Sequence, residues 1–363
     1  MSTDMNGQID SLWVKKTDLP KTKWQRGPAP DLANGQVLLE IEKYALTANN
    51  ITYAAVGDGF GYWNFFPTGD ADWGIIPVWG FAKIAASNHA DLAVGERVYG
   101  YLPMASHLVV APGNVTDAGF VDSAEHRQGL AIIYNQYHRL GMDAGSMEEE
   151  RALYQPLFTT SFLIEDFMRT NDWYGGEAVL LTSASSKTAL GLAMVAKNLS
   201  PDIKRIGLTS PTNRDFVEKT SLYDQVLTYD GLGKAAKDQP VVSVDFAGNS
   251  ILLSAIHDHW EDNLKYSSLV GATHIENRSG AGELKGPKPV LFFAPTAAET
   301  LIKKVGPVTF RAMVDEQFGA FVAGVSNHLT VEHLSGQDAL QSAYLDMLAN
   351  KVAPDRGLIC AFG

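Results

Sequence analysis

The spacing of apolar and polar positions divides the chain into regions of different rhythm. In "GQVLLEIEKYALT" apolar and polar residues alternate from Val37 to Ile41, the period-two pattern of a strand with one buried face. "GERVYGYLPMASHLVVAP" places two further β-rich runs around Pro103, so the first third predicts an antiparallel, barrel-like domain. A turn-rich aromatic segment, "GDGFGYWNFFPTGDADWGIIPVWG" from Gly57 to Gly80, interrupts it. Between about residues 118 and 150 the periodicity of "GLAIIYNQYHRLGM" and the acidic "MEEER" predict a helical or loop insertion.

The rhythm then changes to short apolar runs: "VLLTSAS", "RIGLTSP", "DQVLTYD", "VVSVDFAG", "YSSLVGATH" and "PVLFFAP". Most are separated by helix-compatible stretches such as "KTALGLAMVAKNL". That alternation predicts an α/β doubly wound parallel sheet, whose strands are covered on both faces and need not alternate. After Pro295 the pattern gives one or two helices, then strand, helix and last strand. The expected domains are 1–155, 156–296 and a C-terminal return to the first domain over 297–363.

Composition narrows the function. With 363 residues, 45% of them hydrophobic, the chain can bury a large core in two domains. A formal charge of −12 argues against nucleic-acid binding and leaves small molecules and copies of the chain itself as expected partners. The single cysteine, Cys360, excludes an internal disulfide framework and a multi-thiolate zinc site. No apolar run approaches the roughly 18 residues of a membrane span, and "MSTDMNGQID" lacks a basic region followed by an apolar one, so a cytoplasmic protein is expected.

"LLTSASSKTALGLAMVAK", Leu180 to Lys197, reads as a strand entering a helix through a tight loop. A phosphate-cradling P-loop would need glycine at Leu181 and Ser186, and only Lys187 and Thr188 fit that pattern. A dinucleotide loop would place glycines where Ser183, Ser186 and Ala189 stand. Serine lacks glycine's easy access to positive φ, yet the helix N-terminus, the Ser185, Ser186 and Thr188 hydroxyls and the Lys187 ammonium are all suited to an anion. At the next strand end, where NAD sites carry an acid, stand Thr209, Ser210, Asn213 and Arg214, a set suited to the 2′-phosphate of NADP. A plain helix-capping loop and a solvated Arg214 are the bland alternatives.

The order of a barrel-like domain, the helix "LYQPLFTTSFLIEDFMRT", "YGGEAVLLTSASSKTALGLAMVAK" and a C-terminal return strand resembles the medium-chain dehydrogenase/reductase superfamily, in its zinc-independent quinone and enoyl reductase branch, and within it a domain-of-unknown-function subgroup. The resemblance implies a GroES-like, partly open β-barrel catalytic domain joined to a Rossmann-type domain. It also implies NADP(H) as cofactor, a homodimer, and substrate bound in the cleft between domains. "VDFAG" corresponds to the segment passing the nicotinamide, with Phe246 and Ala247 as cofactor neighbours. The zinc ligands of alcohol dehydrogenases are replaced by "TANNITY" and "VWGFAK", and His257 and His259 of "HDHW", two apart on a helix, do not share a face. No metal is expected. In "TANNITY", Asn49 and Asn50 are candidates to orient substrate and Tyr53 to donate a proton, while Phe60, Tyr62, Trp63 and Tyr101 either wall an apolar or aromatic substrate or fill the core. The expected function is reduction of an activated double bond or carbonyl by NADPH. A non-redox lyase or isomerase and a cofactor-free binding protein are the alternatives.

Overall fold

The computed structural model describes residues 8–141, 147–270 and 284–362. Two compact units emerge: the chain up to Leu153 together with the residues from Thr330, and Tyr154–Leu329.

The first unit is built on a mostly antiparallel sheet, with Thr330–Ser335 and Arg356–Ala361 forming a parallel pair at one edge. Its strands run in the order Thr330–Ser335, Arg356–Ala361, Val37–Leu46, Pro77–Ser87, Arg97–Pro103, Gln136–Arg139, Gly119–Asp122 and Pro112–Thr116, with His107–Val110 also on Val37–Leu46. Gln8–Lys15, Asp18–Pro28 and Trp73–Ile75 make a smaller sheet beside it. Val37, Leu39, Ile41, Val78, Ile84 and Val98 point into one core, as the period-two reading requires. The chain's last strand pairs with Val37–Leu46 and completes that sheet from the C-terminal end.

The second unit is a six-stranded parallel sheet ordered Gln225–Thr228, Lys204–Thr209, Ala178–Leu181, Val241–Asp245, Leu264–Val270 and Val290–Phe292. In chain order this is 3-2-1-4-5-6, the doubly wound arrangement whose direction of winding reverses between the first and fourth strands. Ala178, Leu180, Ile206, Leu208, Val241 and Ile256 fill its core. Helix Lys187–Leu199 lies close on helix Glu148–Thr170: a Cβ on Gly191 would sit 2.7 Å from Ser161 Oγ, which itself donates to the Thr188 carbonyl at 2.7 Å. Only glycine permits that approach. Below it, Glu165 is fully buried, its carboxylate accepting from Ser200 Oγ at 2.7 Å and from Arg169, and burial raises its pKa.

Two expectations are corrected. Among the described residues of 118–150 there is no helical or loop insertion: they contribute strands Gly119–Asp122 and Gln136–Arg139 to the sheet, joined by short 3-10 turns, and Glu148 opens the following α-helix. Buried Phe120 and Tyr137, stacked at 5.3 Å, anchor this strand pair. The return to the first unit starts at Thr330 rather than near 297, because helices Ala294–Val305 and Pro307–Val325 belong to the second unit, where Phe318 and Phe321 pack on Phe158. The glycine- and proline-rich "HIENRSGAGELKGPKP", whose lack of periodicity predicts a mobile loop, lies mostly outside the described residues.

Candidate functional site

The glycine-free loop takes the backbone path that glycine would provide. Ser183 has φ of 46°, in the left-handed region, directly after strand Ala178–Leu181 and the buried Thr182. Ser186 caps helix Lys187–Leu199 by accepting from the Ala189 amide at 3.2 Å. The turn between them is pinned from two sides: the Ala184 carbonyl accepts from Tyr223 OH at 2.8 Å, and Ser185 Oγ accepts from Asn213 Nδ2 at 3.1 Å. Burial raises the Tyr223 phenol well above its ordinary range, which keeps it a neutral donor.

Across the winding reversal, Thr182 Oγ1 donates to Asp245 Oδ1 at 2.6 Å and accepts from the Phe246 and Ala247 amides at 2.8 and 3.1 Å. The Ala247 amide also reaches Asp245 Oδ1 at 3.0 Å. Those two amides are thereby committed within the protein, so Phe246 and Ala247 offer side chain and carbonyl groups rather than N–H donors. Thr182 is a site residue that the sequence reading missed; its signal was a threonine at the first strand's end facing an aspartate at the fourth's.

At the neighbouring strand end Thr209 is buried and its hydroxyl has no hydrogen-bond partner among the described residues. An orphaned hydroxyl there costs about 1–3 kcal/mol unless a ligand meets it. Ser210 opens a short 3-10 turn, and its carbonyl accepts from the Asn213 amide at 3.1 Å. Arg214 is exposed on the following helix, where Nε pairs with Glu218 Oε1 at 2.8 Å. The donor set of helix N-terminus, serine and threonine hydroxyls, Lys187 and Arg214 fits a phosphate-bearing nucleotide, provided Arg214 exchanges Glu218 for phosphate.

In the first unit, helix Ala48–Ala55 begins at Thr47, whose backbone amide donates to Asn50 Oδ1 at 2.6 Å; Asn50 Nδ2 donates to the Pro77 carbonyl at 2.9 Å. Asn50 is therefore a buried capping residue, which corrects its assignment to the substrate. Asn49 is half-buried, one turn before Tyr53, and its side chain opposes the rise in the Tyr53 pKa. Tyr53 is 5% exposed, and burial raises its pKa strongly against the opposing donation of Trp79 Nε1 at 3.2 Å.

Around Tyr53 the rings of Tyr62, Tyr101 and Tyr134 stand at centroid distances of 4.6, 5.4 and 6.2 Å. Tyr101 is fully buried and its hydroxyl has no hydrogen-bond partner among the described residues. Trp63 is core: a Cβ on Gly74 would lie 2.4 Å from its ring, so the indole fills space that only glycine leaves. The structure thus gathers Tyr62, Tyr101 and Tyr53 into one aromatic cluster with Tyr134, turns Trp63 into packing, and leaves Phe60 at 39% exposure on its rim, 6.3 Å from the Tyr62 ring. Tyr134 had no motif to announce it, because it sits in the segment read as a helical or loop insertion.

Among the described residues no group of three or more His, Cys, Asp or Glu is placed to hold a metal ion, and no helix is long and apolar enough to cross a membrane. His257 is buried, with Nδ1 on the Lys285 carbonyl at 2.7 Å and Nε2 on Ser267 Oγ at 3.0 Å. Burial pushes the Cys360 thiol up to about 12, which suits packing rather than nucleophilic attack.

Residues 44–353 match the model of a family described as protein of unknown function, DUF2855. No curated protein matches the chain in sequence. Among solved structures, CurA from Vibrio vulnificus is similar with a TM-score of 0.62 and 15% identity over 98% of this chain and 99% of that one. A putative NADPH:quinone reductase from Mesorhizobium loti has a TM-score of 0.62 and 14% identity over 99% of this chain and 100% of that one. CurA has also been solved in complex with NADPH, similar with a TM-score of 0.58 and 14% identity over 94% of each chain. These likenesses show the fold, and the expected pairing of a barrel-like domain with a doubly wound one is borne out.

Proposed function

We propose that this chain, which belongs to the DUF2855 family and has the fold of the medium-chain dehydrogenases and reductases, is an NADPH-dependent oxidoreductase that reduces an activated double bond or carbonyl without zinc. The observation that carries this reading is Ser183 in the left-handed turn at the winding reversal: the loop keeps a glycine's backbone path, at a conformational cost, in front of a helix N-terminus. Ser183, Ser185, Ser186, Lys187 and Thr188 would face the pyrophosphate. Thr209, Ser210, Asn213 and Arg214 would face the adenosine ribose and its 2′-phosphate, and the orphaned Thr209 hydroxyl supports a ligand there.

Bound NADPH supplies a hydride. The chain's own part is to place an acid near the reduced substrate, and Tyr53 is that acid: its oxygen accepts from Trp79, which stabilises the phenolate left behind. Asn49 orients the substrate oxygen, and the exposed Phe60 ring beside Tyr62 suits a flat apolar or aromatic substrate. The acidic charge and single cysteine support a cytoplasmic setting, and a homodimer is the assembly we expect.

Calorimetric titration tests the reading. Micromolar NADPH binding, much weaker NADH binding, and loss of that preference in Arg214→Gln would support it. One observation favours a cofactor-free binding protein instead: Arg214 and Asn213 already have protein partners in Glu218 and Ser185. Absence of binding by either nucleotide would decide for that reading.

A further inference from the structure

Trp79 Nε1 donates to the Tyr53 oxygen, and an indole N–H has no lone pair to accept with. The Tyr53 proton is therefore directed to some other acceptor. Once it leaves, the phenolate stands in a site only 5% exposed, where water is a poor source of a replacement. Another phenol is placed to serve. Tyr134, on the 3-10 turn Ile132–Tyr134, lies edge-on to Tyr53 with ring centroids 6.2 Å apart. Its hydroxyl is 3.2 Å from that of Tyr62, whose ring adjoins the exposed Phe60.

The turn that carries Tyr134 is held by an internal charge pair. Arg127 Nε lies 2.9 Å from Asp122 Oδ2, both side chains being buried, and Arg127 Nη1 donates to the Tyr134 carbonyl at 3.3 Å. Asn135 Nδ2 returns a bond to the Arg127 carbonyl at 3.3 Å. A buried ion pair spent on a short surface turn is an expensive way to connect two strands. It fixes the phenol beside Tyr53.

We propose that Tyr134 reprotonates Tyr53 during turnover, with Tyr62 as the next donor toward solvent; this rests on the reductase reading above. When the substrate has accepted hydride, the Tyr53 proton goes to the carbon beside the carbonyl of an enone or to the oxygen of a quinone: the Tyr53 O–H bond breaks, a C–H or O–H bond forms and the phenolate keeps the electron pair. The Tyr134 O–H bond then breaks and that of Tyr53 is restored. Tyr62 restores Tyr134, and water restores Tyr62. One solvent proton enters for each hydride, and nothing beyond the nicotinamide is oxidised.

The test uses the full chain with tyrosine labelled with ¹³C at Cζ, NADPH, and a cyclic enone and a para-quinone as probe substrates. Tyr134→Phe should shift the Tyr53 Cζ resonance at neutral pH without substrate, and slow turnover about 10- to 100-fold with KM unchanged and a larger solvent isotope effect. Because the groups act in series, Tyr53→Phe with Tyr134→Phe should be no slower than Tyr53→Phe alone. An unmoved resonance, or losses that multiply in the double variant, overturns the relay and leaves the reductase reading standing. Should Tyr134→Phe not fold, Tyr62→Phe must shift the Tyr134 resonance and slow turnover, and failure of either overturns the relay. If the wild-type chain oxidises NADPH with neither probe, the reductase reading falls and the relay falls with it.

Discussion

Thr182 Oγ1 and Asp245 Oδ1 lie 2.6 Å apart, joining the ends of the first and fourth strands where the parallel sheet reverses its winding. Threonine both donates to the carboxylate and accepts from the next two amides, so one hydroxyl shapes the segment Asp245–Gly248. Thr182→Val keeps the shape and removes every one of these bonds. The variant should lose about 2–3 kcal/mol of stability in urea titration, the range for buried bonds that involve a charged group. NADPH affinity should fall as well, since the loop bearing Ser183 starts at this residue. A variant with wild-type stability would show that the clasp is not holding the two strand ends.

Ser183 carries a left-handed backbone with φ of 46° that a side chain opposes. Ser183→Gly removes the opposition but frees the unfolded chain, so its stability should stay within about 1 kcal/mol of wild type. Ser183→Val should cost about 1–2 kcal/mol or more, because a β-branched side chain is the least compatible with that region. Chemical denaturation of the pair measures the difference. Equal stabilities would mean that the turn relaxes and that the conformation is not imposed by the fold.

Arg127 and Asp122 form a buried pair that should behave as a unit. Arg127→Met leaves Asp122 charged and unpaired and should destabilise by about 3–5 kcal/mol. Adding Asp122→Asn, which keeps an acceptor for the Ala111 and Ala124 amides, should recover part of that loss. The double-variant cycle in urea reads the coupling directly; additive losses would contradict a mutual pairing.

The parts of the fold that the sequence disclosed are those set by local pattern. Strands covered on both faces appear as apolar runs, and the parallel sheet followed from them, as did the passage from strand Ala178–Leu181 into helix Lys187–Leu199. What stayed hidden depends on partners remote in sequence. "GLAIIYNQYHRLGM" has helical spacing, but Tyr137 finds Phe120 and Gly100 across a sheet, and Arg127 is buried against Asp122 and the Phe66 ring. Trp63 looked like a pocket wall because nothing local shows Gly57 and Gly74 clearing space for its ring. Asn50 was more accessible: Thr47-x-x-Asn50 before a helix is a capping pattern, and its amide went to the helix end rather than to a ligand.

Glu148, at the start of helix Glu148–Thr170 and within the first unit, pairs with Arg97 at 2.7 Å and Lys43 at 2.7 Å on that unit's sheet. Burial pushes its carboxyl pKa up, but hydrogen bonds and charge from Arg97 and Lys43 outweigh it and hold the pKa below the ordinary 4.5. The unfolded chain therefore binds a proton at this residue at higher pH than the folded chain does. Stability from Glu148 is fully present above the unfolded value, and is lost as pH falls through the depressed folded value. Wild type and Glu148→Gln should accordingly differ most in thermal unfolding near pH 6 to 7, and the gap should close steadily as acid is added below about pH 4.5. Differences between the two proteins cancel the titration of all other carboxylates. A gap that is independent of pH would mean that the helix is held by the shape of the side chain and not by its charge.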